Sequence, residues 1–332
     1  MQIFSPHISV LRVYSMFLII ITHFLSWRNI DDFQIASVGV ACFLFISGYL
    51  YGDKNIENRK DWIKNRIKRV LVPFWILAIA LSIYLIVKGD YQFALRQIVE
   101  SLFNLQGLHN VLHFPIALGN GHMPGLAHCW FLTIIMLCYI GVIFLKNSCA
   151  EKFGDNHPGI LLLLVIALHI AFCFINIAIG CFVIFFVGYF FRRLEYLSKT
   201  LNYFFAKMTF VMLLAVAIRI VLKKIIDGDF FYDFFISSFS SNVCAIWCFI
   251  FVKWICGRSS LLATITAKKN WKWIDNMTYP LYLTHYMFLK EPFAPSSSRS
   301  FCLSVALFVF LTIVSAMILN VIAKKIGEKI KW

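Results

Sequence analysis

Apolar runs long enough to cross about 30 Å of hydrocarbon alternate with short polar segments along the whole chain. They fall at about residues 8–28, 34–52, 70–88, 128–146, 159–177, 179–192, 204–222, 233–256, 277–290 and 301–323, which predicts ten membrane-spanning helices. The sixth and ninth runs are short and the break near 176–180 is shallow, so nine and eleven are the neighbouring counts. The longest segment between runs, residues 89–127, predicts a short amphipathic helix near 93–103 followed by a His- and Gly-rich stretch long enough to fold over a site. No internal repeat or low-complexity tract interrupts the pattern, so one transmembrane domain is expected across residues 1–332. The first run holds Arg12, lacks Lys or Arg ahead of it and has no small-residue cleavage site after it, and therefore reads as a retained helix.

Composition agrees with the pattern and narrows it. Of 332 residues, 61% are hydrophobic and 14% charged, Phe alone occupies 35 positions, and the mean hydropathy is +0.79. An ordinary soluble domain is about 25% charged, so the predicted class is an all-α polytopic membrane protein with lipid as its solvent. The net charge of +15 does not point to nucleic acid, because the basic residues sit between apolar runs. With both termini placed in the cytoplasm, 22 Lys and Arg residues fall in inner segments and 8 in outer ones, the bias expected of cytoplasmic loops. The ten cysteines lie mostly inside apolar runs, with no CxxC or metal-ligand spacing, and read as small hydrophobes. No metal site is predicted.

An ionisable residue inside a span is a functional candidate by default. Arg12 and His23 are 11 residues apart, three helical turns, so they share one face of the first span about 16 Å apart. Ser15, Thr22 and Ser26 fall near the same stripe. The structural alternative is that Arg12 snorkels to the headgroups and His23 caps an interface. On the predicted cytoplasmic side, Arg66 and Arg69 stand one turn apart just before Pro73, a spacing suited to clamping phosphate, or to plain positive-inside anchoring. In the ten-span arrangement His23, His109, His113, His122, His128 and His285 lie at or near the outer surface and are candidates to converge. Imidazole titrates near neutral pH and is the usual general base.

These motifs resemble the membrane-bound acyltransferase 3 family. The resemblance spans nearly the whole chain and rests on Arg12-x10-His23, FLFISGYLYG at 43–52, Arg66-x-x-Arg69 followed by Pro73, HCWFL at 128–132 and MTYPLYLTH at 277–285. It implies transfer of an acyl group, usually acetyl, from cytoplasmic acyl-CoA to a hydroxyl of a surface polysaccharide or its lipid-linked precursor, in a bacterial cytoplasmic membrane. No bound cofactor is implied; acetyl-CoA enters as co-substrate. By resemblance His23 is the catalytic histidine, Arg12 helps to position the donor, and Arg66 and Arg69 meet the CoA phosphates. Ser47 and Gly48 either line the donor channel or allow close helix packing. His128, Trp130, Tyr282 and His285 belong to the acceptor side. The residues after Trp130 lack the Glu that members with a fused esterase-like domain often carry, and no such domain is expected here.

The expected mechanism has His23 acting as general base on a sugar hydroxyl that attacks the thioester directly, with an acyl-histidine intermediate as the rival route. His128 and His285 are candidates to orient the acceptor or polarise the carbonyl. A transporter or flippase of lipid-linked sugars shares the same basic and polytopic character, although such proteins often show repeated halves or broken helices, and no repeat is seen here. A non-catalytic subunit of an envelope glycan complex is the third alternative.

Overall fold

In the computed structural model, residues 5–28, 36–108, 126–175, 177–194, 201–226, 231–289, 293–294 and 300–329 are described. They form thirteen α-helices and no strand among the described residues. In chain order these are α1 (Pro6–Trp27), α2 (Ala36–Gly52), α3 (Arg59–Val87), α4 (Tyr91–Leu102), α5 (Trp130–Leu145), α6 (Cys149–Asn156) and α7 (Pro158–Phe174). They continue as α8 (Gly180–Leu194), α9 (Leu201–Ile226), α10 (Ser237–Arg258), α11 (Ser260–Ala267), α12 (Lys269–Thr284) and α13 (Phe301–Lys329). All ten predicted runs fall on helices. Six helices are long and apolar enough to cross a membrane unaided, and α6 with α7, bent by 114°, would make a seventh as a single broken span. The rest, including the 17-residue α2, are shorter helices held by their neighbours.

The protein is an all-α polytopic membrane protein, and its surface shows it. Phe144, Phe174, Phe210, Leu163 and Ile225 are each at least 69% exposed, an arrangement that water penalises and hydrocarbon does not. Two cores meet along α1, α3 and α5. The larger joins α2 to α8 and α10; the smaller joins α1 to α3, α12 and α13. At the α2–α8 contact backbones nearly touch. A Cβ on Gly48 would stand 1.8 Å from the Phe185 carbonyl oxygen, and one on Gly188 would stand 2.2 Å from that of Phe45. Only glycine permits that approach, so the packing reading of Gly48 is the one the geometry supports.

One element departs from its predicted bounds, and another shows a packing that the sequence did not predict. Helix α3 begins at Arg59, eleven residues before the predicted apolar run, because the basic stretch RKDWIKNRIKR is itself helical. Its start is capped by the Asn58 side chain, which accepts from the Asp61 N–H. The segment predicted as an outer amphipathic helix is helical over Tyr91–Leu102, but it folds back antiparallel along α3. Gln97 Nε2 donates to the Ala78 carbonyl and the Ser82 hydroxyl, both at 3.1 Å, and Trp75 Nε1 donates to Ser101 O at 2.9 Å. Asn104, in the left-handed region at φ 54°, then turns the chain onto α5. There the Gly107 N–H donates to the Thr133 hydroxyl at 2.9 Å, so this irregular backbone keeps polar partners among apolar helices.

Candidate active site

Helices α1 and α12 run parallel and carry matched stripes. On α1 the stripe is Arg12, Met16, Ile19 and His23; on α12 and the turn that ends it, it is Asp275, Tyr279, Tyr282 and Tyr286, with the same spacing of four, three and four residues. Residues so spaced share one helix face. Three contacts fix the register. Trp271 Nε1 donates to Ser9 Oγ at 2.8 Å, Arg12 donates to Asp275, and the His23 ring stands 5.4 Å from that of His285. The segments predicted as the first and ninth spans therefore run the same way, although α12 is not among the helices long and apolar enough to cross a membrane unaided.

At the end of the stripes three histidines meet. The His128 ring lies 4.8 Å from His285 and 6.5 Å from His23, and it stacks on Tyr286 at 5.0 Å. Two short 3-10 turns bring this about. Ala127–Cys129 sets His128 at the entry to α5, and His285–Leu289 ends α12, whose interior holds Pro280. The carbonyl of Tyr282 holds both rings, with His128 Nε2 at 2.7 Å and His285 Nδ1 at 2.8 Å. A carbonyl only accepts, so the nitrogen facing it carries the proton in each ring. This leaves Nε2 of His285 as the bare nitrogen, buried and without a hydrogen-bond partner among the described residues. Tyr282 closes the loop by donating its hydroxyl to His128 O at 2.5 Å. Phe24, Phe288, Leu289 and Phe308 pack beyond the rings.

Arg12, predicted to position a donor, is engaged by Asp275: its Nε and Nη2 stand 2.9 and 2.5 Å from a single carboxylate oxygen. Trp130 lies outside the histidine group, edge-on to Phe131. Ser47 lies against Tyr139 on the other core. The predicted contributions of His109, His113 and His122 lie outside the described residues. Asp275 and Tyr286 are participants that the sequence reading did not single out. Their spacing from Tyr279 and Tyr282 is the signal that marks them.

The basic pair on α3 is not symmetric. Arg66 donates to the Tyr51 hydroxyl and packs over the rings of Tyr51 and Trp62 at 5.4 and 5.6 Å, while Arg69 is exposed. Partial burial and the nearby guanidinium groups of Arg66 and Arg69 lower the ammonium pKa of Lys54, which shows three cations crowded at this end. Among the described residues no group of three His, Cys, Asp or Glu side chains is arranged to hold a metal ion.

A family model described as an acyltransferase domain, Acyl_transf_3, matches residues 6–323. The chain belongs to the acyltransferase 3 family. It is a multi-pass membrane acyltransferase, and the matched region takes in both stripes, the three histidines and the basic end of α3. No curated protein and no solved structure matches this acyltransferase 3 chain.

Proposed function

We propose that the protein transfers an acyl group, acetyl in the first instance, from acyl-CoA to a hydroxyl of a surface glycan or its lipid-linked precursor across a bacterial cytoplasmic membrane. The observation that carries this reading is the meeting of His23, His128 and His285, from three distant parts of an acyltransferase chain, at one end of two parallel helices.

His23 takes the proton of the acceptor hydroxyl as its oxygen attacks the thioester carbonyl carbon. The C–S bond breaks, the acyl group stays on the glycan oxygen, and the proton passes from His23 to the departing CoA thiolate. His285, its Nδ1–H held by backbone carbonyls, offers Nε2 as an acceptor to the reacting pair. His128 and Tyr282 shape the acceptor side. Arg12 is a positioning residue that, through Asp275, keeps α1 and α12 in register. The CoA phosphates meet Arg69 and Lys54, with Arg66 held behind them on Tyr51 and Trp62, and Ser47 lies on the same donor half.

The test is mass spectrometry of surface glycans from cells making the intact protein, the His23→Ala form, or neither. An acyl-sized mass gained only with the intact protein is the expected result. An equal gain with His23→Ala removes the histidine from the chemistry, and lipid-linked sugar moved with no acyl mass gained would favour the transporter.

A further inference from the structure

Between the Arg12–Asp275 pair and the three histidines the two stripes do not close. A cavity of about 40 Å³ remains, walled by Met16 and Ile19 of α1, Phe43 of α2, Phe131 of α5, and Tyr279 and Tyr282 of α12. It lies one turn from the chemistry. Ile19 is four residues before His23, Phe131 three after His128, and Tyr282 three before His285. Both tyrosines turn their polar ends elsewhere, since Tyr279 donates its hydroxyl to Val70 O at 2.5 Å and Tyr282 to His128 O at 2.5 Å. They therefore offer the cavity their rings, and the wall is apolar throughout.

We propose that this cavity receives the acyl group of the donor and restricts it to a short, uncharged one. The inference rests on the acyl-CoA reading above and sharpens it. Size argues for a short group. The space is that of a small group, and an acetyl group has three heavy atoms. Polarity argues against charge. Succinyl ends in a carboxylate, which an apolar wall with its hydroxyls already committed would leave desolvated and unpaired. The position argues for the acyl group rather than the sugar, because a carbonyl carbon at the mouth of the cavity stands beside the histidines, while a pyranose is too large to enter.

The experiment follows CoA thiol release from acetyl-, butyryl- and succinyl-CoA by membranes holding the intact protein, Ile19→Ala or Phe43→Ala. The milder Ile19→Val and Phe43→Leu serve where the alanine forms fail to insert. Intact protein should prefer acetyl to butyryl by at least about tenfold, the least that extra methylenes against a filled pocket are worth, and should refuse succinyl. Widening the cavity should raise butyryl use relative to acetyl by about tenfold while succinyl stays refused. An unchanged ratio in every variant, or ready use of succinyl by the intact protein, overturns the assignment while leaving acyl transfer standing. No release from any thioester by intact protein overturns the acyl-CoA reading itself, and the assignment with it.

Discussion

Arg12 and Asp275, 263 residues apart, meet through two nitrogens on one carboxylate oxygen, at 2.9 and 2.5 Å. Asp275 is largely buried, its side chain 10% exposed, and Arg12 is one-third exposed. Removing either partner strands the other among apolar helices.

Asp275→Ala should therefore destabilise the protein, towards the low end of the about 3–5 kcal/mol typical of breaking a buried pair, read as a fall in melting temperature in detergent. If Asp275 acts by holding register, Asp275→Glu restores turnover more than Asp275→Asn at matched donor affinity. Equal activity in those two variants would remove the charge from its role.

His23→Gln should lower turnover by about 10²–10⁴, the range for a lost general base, with the apparent affinity for acyl-CoA kept. Tyr282→Phe removes one hydrogen bond to His128 O and should cost about 0.5–1.5 kcal/mol of stability. Steady-state kinetics beside thermal unfolding separates the two effects.

Arg69→Ala should raise the KM for acyl-CoA and leave turnover at saturating donor close to intact. Arg66→Ala should also lower stability, because Tyr51 and Trp62 lose the cation packed on them. A purely anchoring role for Arg69 would instead show as altered membrane insertion with KM unchanged.

Glu151 sits where α6 meets α8 and accepts from the Asn147 N–H at 2.6 Å, from Tyr189 and from Arg193, with Lys146 3.4 Å away. Burial pushes its carboxyl pKa up, yet these partners together hold it below the ordinary 4.5. A depressed folded value stabilises the protein above the unfolded pKa, and that contribution is lost as pH falls through the folded one. The melting temperature should drop on acidification below about 4.5, and Glu151→Gln should flatten that drop.

Period and hydropathy carried the helices because a span must satisfy its own backbone, which makes each one locally legible. They found the short helix at Tyr91–Leu102 without its packing on Ala78 and Ser82, and they failed where a polar helix continues an apolar one, as in Arg59–Val87. The site was half legible. The meeting of His23 with His128 and His285 was expected from a shared membrane level, which is a one-dimensional property. The partner of Arg12 was not, because a contact spanning 263 residues leaves no local trace. The tautomers were equally hidden, since they depend on which carbonyl each ring meets.

Helices α2 and α8 touch through backbone at Gly48 and Gly188, and this divides the molecule mechanically. Such a contact has no side chains to switch between rotamers, so the two helices turn as one body. The seam between α1 and α12 is built differently, from side chains: Trp271 donating to Ser9 and Arg12 donating to Asp275. The three histidines lie on the seam that side chains hold.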